Sequence, residues 1–162
     1  MNWYALYTKP RWERKVAQEL EQQNIEAYCP QITEVKQWSD RKKKVTSPLF
    51  KSYVFVKLEE KNRAKVFETP GVVQYLFWLG KPAIVRDEEI NTIKSWLQDE
   101  RIEDISVSHL SPGDKLTIAN GSFKGKDAVV QKIGNKRLKM VLKDLGLVIN
   151  VKVSDALGDQ TS

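Results

Sequence analysis

Apolar and polar positions near the N-terminus predict a strand followed by a helix. The run WYALYT at residues 3–8 is apolar and rich in aromatic residues, as strands often are. Behind Pro10, the residues Trp12, Val16 and Leu20 recur at four-residue spacing. Because proline suits the first turn of a helix, this spacing predicts an amphipathic helix over about residues 10–23.

Between residues 25 and 97 the pattern predicts hairpins and then a second helix. Alternation with a period of two residues predicts strands, with the basic segment SDRKKK at a hairpin tip. A short helical stretch, KNRAKVFET, ends at Pro70 and Gly71. The apolar segment VVQYLFWLG at residues 72–80 predicts one further strand, and DEEINTIKSWLQ predicts the second helix. The strands of the period-two region are EAYCP, ITEVKQW, VTSPLF and YVFVKL.

The pattern divides the chain into two domains joined by a linker. Residues 1–97 predict an α+β domain with an antiparallel sheet flanked by helices. Residues 98–110 lose the periodicity and carry charges of mixed sign, which indicates a flexible linker. From residue 111 to 162, short alternating runs separated by Gly and Asn turns predict a small β-barrel. The segment RLKMVLKDL also fits a helix, so this part of the pattern leaves two structures open.

Composition and charge narrow the function to binding rather than catalysis. No apolar run approaches the ~20 residues that span a bilayer, and the N-terminus does not resemble a secretory signal, so we expect a cytoplasmic protein. A net charge of +6 favours an acidic partner such as nucleic acid. One cysteine (Cys29) and one histidine (His109) are too few for a structural zinc site. Catalytic sequence motifs are absent, so we expect neither an enzyme nor a bound cofactor or metal.

The C-terminal domain opens with a recognisable sequence motif, SPGDKLTIANGSFKGKDAVV. It resembles the KOW module of ribosomal proteins and transcription elongation factors, with Ala128 where that motif usually has another glycine. The resemblance implies a five-stranded, SH3-like barrel. The matching KOW motif residues are Gly113, Asp114, Gly121, Phe123 and Gly125.

Three sequence blocks lie in the N-terminal half: WYALYTKPRWERKVAQEL, SPLFKSYVFVKL and TPGVVQYLFWLGKPAIV. In sequence and in order, they resemble the N-terminal domain of the NusG family of transcription elongation factors. Together with the KOW segment they cover most of the chain. In the middle block, Lys51 and Ser52 replace the Pro-Gly pair of a familiar form of the motif. The compact chain resembles the specialised paralogues such as RfaH and the capsule-locus antiterminators.

The resemblance implies a polymerase-binding surface on the N-terminal (NGN) domain. In this family, an apolar depression beside the sheet binds the clamp helices, a coiled coil on the β′ side of RNA polymerase. Aromatic side chains suit such an interface because each buries a large area, although aromatic residues in sheets are also common core residues. The matching positions are Tyr7, Phe50, Tyr53, Phe55 and Trp78.

Two basic clusters are predicted to contact DNA. By resemblance, the first turn of the first helix meets the non-template strand, with Lys9, Arg11 and Lys15 on phosphates and Trp12 stacking on a base. A basic solvated helix face is the competing interpretation. The second cluster consists of Arg41, Lys42, Lys43 and Lys44 at the predicted hairpin tip. It either contacts upstream duplex DNA or the polymerase surface, or is a solubilising feature that discourages edge pairing.

The sequence therefore predicts a monomeric transcription elongation and antitermination factor, acting at specific operons such as surface polysaccharide loci. Its KOW domain is expected to recruit a small-subunit ribosomal protein or the termination factor Rho. The alternative is a KOW-containing RNA-binding or ribosome-associated protein that never contacts polymerase. The sequence leaves open whether the C-terminal domain covers the polymerase-binding surface.

Overall fold

The computed structural model describes residues 1–110, 129–132 and 136–154. It divides into two compact units, Met1–Leu76 and Phe77–Ser162, and each is described by itself. The predicted division into domains near residue 97 stays a prediction.

The first unit combines an antiparallel sheet, one α-helix and a separate hairpin. Its strands pair in the order β2-β5-β1-β6, while β3 and β4 form a two-stranded sheet of their own. A 3-10 helix, Glu60–Glu68, lies where the sequence predicts a short helical stretch. The elements are β1 (Asn2–Thr8), α1 (Glu13–Gln22), β2 (Glu26–Tyr28), β3 (Gln31–Trp38), β4 (Arg41–Pro48), β5 (Tyr53–Leu58) and β6 (Val72–Tyr75).

Helix α1 and one face of the sheet form the core of this unit. Val16 and Leu20 on the helix are fully buried, as their four-residue spacing predicts. Successive side chains of a strand point to opposite faces, so Leu6 and Val54 meet the helix while their neighbours point away. Each such side chain contributes about 1.5–3 kcal/mol when fully buried.

The first helix is shorter than predicted at its N-terminus. Arg11 has a φ of 71°, a left-handed conformation that an α-helix cannot include. Trp12 therefore takes the position before the helix, and α1 begins at Glu13. The predicted start near Pro10 is wrong because the chain turns at Arg11 before it becomes helical.

Within its described residues, the second unit contains a short apolar hairpin, one α-helix, a short 3-10 helix (Lys143–Leu145) and a second antiparallel sheet. Helix α2 has the predicted bounds, and the Arg86 backbone N–H donates to Glu89 Oε1 at 2.9 Å at its N-terminus. The sheet strands pair in the order β10-β13-β12-β11. The elements are β7 (Phe77–Trp78), β8 (Lys81–Pro82), β9 (Ile84–Val85), α2 (Asp87–Gln98), β10 (Ile102–His109), β11 (Val129–Lys132), β12 (Arg137–Leu142) and β13 (Leu147–Val153).

The apolar segment at residues 72–80 is not the single strand that the sequence predicts. Strand β6 ends at Tyr75, and β7 begins only at Phe77. Leu79 and Gly80 then take positive φ values of 51° and 77°, which form a two-residue turn into β8. A run of apolar residues does not by itself show where the chain turns.

The segment predicted as a linker contains a strand. Residues 102–109 form β10, which pairs antiparallel with β13. The register shifts between Ile102 and Asp104, and this irregularity interrupts the two-residue period. Ile105 and Val107 resume the alternation. This alternating run is short and follows several charged residues, so the sequence pattern predicts a linker there instead of a strand.

The C-terminal prediction is confirmed as a small antiparallel sheet. Residues 137–142 form strand β12, which decides between the two structures that the pattern leaves open. Closure into a five-stranded barrel stays a prediction. The KOW motif residues Gly113, Asp114, Gly121, Phe123 and Gly125 lie outside the described residues.

Candidate functional site

Tyr7 and Tyr53 form an accessible aromatic pair at the ends of two neighbouring strands. They lie directly opposite each other in the β1–β5 register, so their side chains share one face of the sheet. Their ring centroids are 4.9 Å apart, and the Tyr53 hydroxyl donates to the Tyr7 hydroxyl at 3.2 Å. Both residues are half-buried. The structure thus brings together two of the residues predicted to bind polymerase.

The Tyr53 hydroxyl stays protonated at neutral pH. Burial, and then the hydrogen bond with Tyr7, raise the pKa of Tyr53 above its ordinary value. A neutral hydroxyl that already has a partner lets the ring meet an apolar surface without an unpaired polar atom.

Phe50 and Phe55, also predicted to bind polymerase, are buried. Their side chains are 2% and 0% exposed, and their rings meet edge to face at 5.1 Å. Phe55 follows Tyr53 by two positions and shares its face of the strand. A direct contact with a partner would require this pair to open. Their predicted role in polymerase binding stays a prediction, and of these three aromatic residues only Tyr53 is partly exposed.

The turn that leads into β5 depends on a residue distant in sequence. Ser52 has a φ of 66°, the left-handed conformation that glycine supplies in the familiar form of the motif. The Tyr53 backbone N–H donates to the Phe50 carbonyl at 3.3 Å, closing the turn. The Ser52 backbone N–H donates to Glu13 Oε2 at 2.7 Å, and Glu13 is 4% exposed. The turn therefore forms without the Pro-Gly pair.

Trp78, the last residue predicted to bind polymerase, lies in the second unit. It is 40% exposed on the β7–β8 hairpin, where Phe77 and the turn residue Leu79 are 57% and 82% exposed. Such a concentration of exposed apolar side chains is uncommon and is typical of binding surfaces. Both Tyr7 and Trp78 thus retain surface for a partner.

Three of the four residues of the first DNA-binding prediction come together at the start of α1. The Lys9 and Lys15 Nζ atoms lie 5.8 Å and 4.8 Å from the centre of a Trp12 ring. These are cation–π distances, and each contributes about 0.5–1 kcal/mol at an exposed site. Trp12 is half-buried, and Arg11 is exposed on the turn before it. The arrangement presents an indole with two ammonium groups.

Trp12 is held in place by a close contact with Gly71. A Cβ at Gly71 would come within 2.7 Å of Trp12 Cε3 and 2.9 Å of Val16 Cγ2. The Lys9 backbone N–H also donates to the Gly71 carbonyl at 2.9 Å. This glycine, with a φ of 96°, lets the chain before β6 pass directly beside the indole.

The second basic cluster lies within a strand rather than at a tip. The turn of the hairpin consists of Ser39 and Asp40, and the four cations begin β4. The prediction of four adjacent cations on a tip is corrected, because strand geometry sends alternate side chains to opposite faces. Arg14 on α1 donates a weak hydrogen bond to the Thr46 carbonyl at 3.5 Å, so the helix and hairpin are neighbours.

One exposed aromatic residue on this hairpin is missing from the set predicted from sequence. Trp38 is 50% exposed, with Lys43 Nζ at 4.9 Å from its ring centre. The hairpin register is the feature that could have identified Trp38 from the sequence. A turn of two residues places Trp38 directly opposite Arg41, next to the basic cluster.

The remaining candidate groups are the Cys29 thiol and possible metal ligands. Burial raises the pKa of the Cys29 thiol to about 11, and Gln31 Nε2 lies 3.0 Å from its sulfur, so the thiol stays protonated. In the described ranges, no three His, Cys, Asp or Glu residues cluster in a way that could hold a metal ion. Among those same residues, no helix is long and apolar enough to cross a bilayer.

Comparisons with known proteins identify the family of the chain. The profile of the family described as "Transcription termination factor nusG" matches residues 1–94. The "Transcription termination/antitermination protein NusG" of Staphylococcus carnosus is 28% identical over 159 residues, covering 88% of this chain and 86% of that protein. The protein of the same name from Streptococcus pyogenes is 26% identical, covering 89% and 87%. A solved structure described as "Domain interaction in Thermotoga maritima NusG" covers 96% of this chain and 94% of its own, with 20% identity and a TM-score of 0.43.

An α+β chain with exposed aromatic and cationic surfaces has the features of a protein that binds macromolecular partners. The chain belongs to the NusG family, whose members are non-enzymatic transcription termination and antitermination factors.

Proposed function

We propose that this chain is an elongation and antitermination factor that binds the clamp helices of RNA polymerase through its N-terminal domain. Family membership supports the proposal, and the Tyr7–Tyr53 pair is the structural observation that carries it. The two rings lie side by side on one face of the sheet, and both residues are half-buried. Rigid aromatic side chains of this kind are frequent anchors in protein interfaces.

The mechanism requires no chemistry, only a difference in affinity between two states of the polymerase. A protein that binds the closed clamp more tightly than the opened, paused clamp shifts the population towards the closed one. Trp78 on the β7–β8 hairpin is proposed as a second apolar contact, since it keeps 40% of its surface exposed.

The start of α1 is proposed to contact the non-template DNA strand. Lys9 and Lys15 flank the Trp12 indole, and no ion pair of these lysines with a carboxylate occurs within the described part of the chain. Cations beside an aromatic ring suit a single strand, because they meet phosphates while the ring meets a base. Arg11 extends the same cationic surface.

The C-terminal domain is proposed to be a KOW module that recruits a small-subunit ribosomal protein or Rho. A tethered module raises the effective concentration of its partner near the polymerase without a new polymerase contact. Action at specific operons, as in the specialised paralogues, is part of the proposal and rests on the resemblance in sequence.

Capture of the tagged full-length chain from its own cells, with identification of the bound proteins, tests the proposal. We expect the polymerase subunits to co-purify with the unaltered chain and to be absent when Tyr7→Ala is combined with Trp78→Ala. Phe67→Ala is the control, because Phe67 is an aromatic residue with 52% exposure outside the proposed site. Recovery of ribosomal proteins without polymerase would favour the RNA-binding or ribosome-associated alternative instead.

A further inference from the structure

The two faces of the β3–β4 hairpin differ in chemistry. The register pairs Trp38 with Arg41 and Lys36 with Lys43, so these four side chains share one face, called here the Trp38 face. Glu34 is the acidic residue of the same face. The opposite face carries the alternate side chains Val35, Gln37, Lys42 and Lys44.

The Trp38 face is accessible and positively charged. Both strands are exposed from residue 33 to residue 44, so the faces are not part of the core of the described unit. Trp38 keeps half of its surface exposed while Lys43 Nζ lies 4.9 Å from its ring centre. Arg41 is directly across from the indole, and Lys36 adjoins Lys43. No ion pair of these cations with a carboxylate is present among the described residues.

We propose that the Trp38 face binds single-stranded DNA, with Trp38 stacking on an unpaired base and Arg41, Lys43 and Lys36 contacting the flanking phosphates. Base–aromatic stacking combined with cations along a backbone is the general chemistry of single-strand binding. Lys43 also holds the indole in place, which reduces the ordering that binding requires. The opposite face has two cations but no aromatic ring, so it lacks the stacking group.

Charge and ring together favour this ligand over a duplex or a protein. Bases in a duplex are already stacked on one another, so an exposed indole gains nothing from them without unstacking. A protein partner would have to bring several carboxylates to match three cations around one tryptophan. The choice of DNA over RNA rests on the proposed function, which places an exposed DNA strand beside the protein.

The test measures binding of a fluorescein-labelled oligothymidylate to the purified full-length chain by anisotropy over a range of salt concentrations. Trp38→Ala is expected to weaken binding at least about fivefold, whereas Trp38→Phe stays within about twofold because it keeps a stacking ring. Arg41→Gln with Lys43→Gln should flatten the slope of log affinity against log salt by ~0.7 for each phosphate that is no longer neutralised. The matched control is Lys42→Gln with Lys44→Gln, which removes the same charge from the opposite face and should change affinity less.

Three results would overturn the inference. They are an unchanged affinity in Trp38→Ala, equal reductions in the two double variants, and duplex or RNA oligomers that bind more tightly than the DNA single strand. Capture of RNA polymerase by the Trp38→Ala variant, measured alongside its DNA binding, distinguishes failure of this inference from failure of the proposed function. Retained capture with weakened DNA binding supports the Trp38 face, while retained capture with unchanged DNA binding refutes it and leaves the polymerase proposal standing.

Discussion

Ser52 occupies a backbone conformation that a glycine adopts without steric cost. Its φ of 66° is unfavourable for a residue with a Cβ, by about 1–2 kcal/mol. Glycine also has more freedom in the unfolded chain, which offsets part of the gain. We predict that Ser52→Gly raises the free energy of unfolding in urea by about 0.5–1 kcal/mol.

Lys51→Gly provides the comparison for this prediction. Lys51 lies in the same turn but is not among the residues with positive φ. There glycine adds only flexibility and should lower stability by about 0.5–1 kcal/mol. Equal effects of the two substitutions would show that the conformation of Ser52 is not strained.

Individual residues also show which structural features can be predicted from the sequence and which cannot. The pattern predicts the buried Val16 and Leu20 because their periodicity is local. It does not predict the hydrogen bond between Glu13 and the Ser52 backbone, since those residues are 39 positions apart and neither belongs to a repeating pattern. Nor does it separate Tyr53 from Phe55, which share a face but differ in what covers them.

At the scale of elements, Gly71 connects the start of β6 to the start of α1. A methyl group there would meet Trp12 and Val16 at 2.7 Å and 2.9 Å, in a region where φ is already 96°. We predict that Gly71→Ala lowers the free energy of unfolding by more than ~2 kcal/mol, because overpacking adds to backbone strain.

Gly80→Ala separates the two causes. Gly80 also has a positive φ, of 77°, but a Cβ there would meet no atom within 4 Å. Its substitution should cost only the backbone strain, about 1 kcal/mol. If urea unfolding shows equal destabilisation in the two variants, the packing of Gly71 against the indole does not contribute.

Elements with an unbroken period are the ones that the sequence predicts well. The bounds of α2 and β5 match the pattern because each has a regular repeat and a clear end. Strand β10 and the turn between β7 and β8 do not match the pattern, because a register shift and a two-residue turn leave the overall composition unchanged. The sequence places the basic segment at a tip because the hairpin register depends on pairing across the turn, which composition does not show.

At the scale of the whole molecule, the sequence predicts the kind of protein better than it predicts the contacts. The family profile and the near-full-length relatives agree with the order of the sequence blocks. Function in such a chain depends on which side chains remain exposed, and exposure results from packing among distant segments. Tyr7, Tyr53, Trp38 and Trp78 are therefore distinguishable from buried aromatics only in the folded structure.

The most direct test of the central claim is the affinity of the purified full-length chain for purified core RNA polymerase. Combined replacement Tyr7→Ala and Tyr53→Ala should weaken binding about 30-fold or more, corresponding to a reduction of ~2 kcal/mol or more at an interface anchor. Replacement of both by phenylalanine should retain most of the affinity, because the rings rather than the hydroxyls provide the contact, and Phe67→Ala should match the unaltered chain. An affinity of the double alanine variant within about twofold of the unaltered chain would contradict the account.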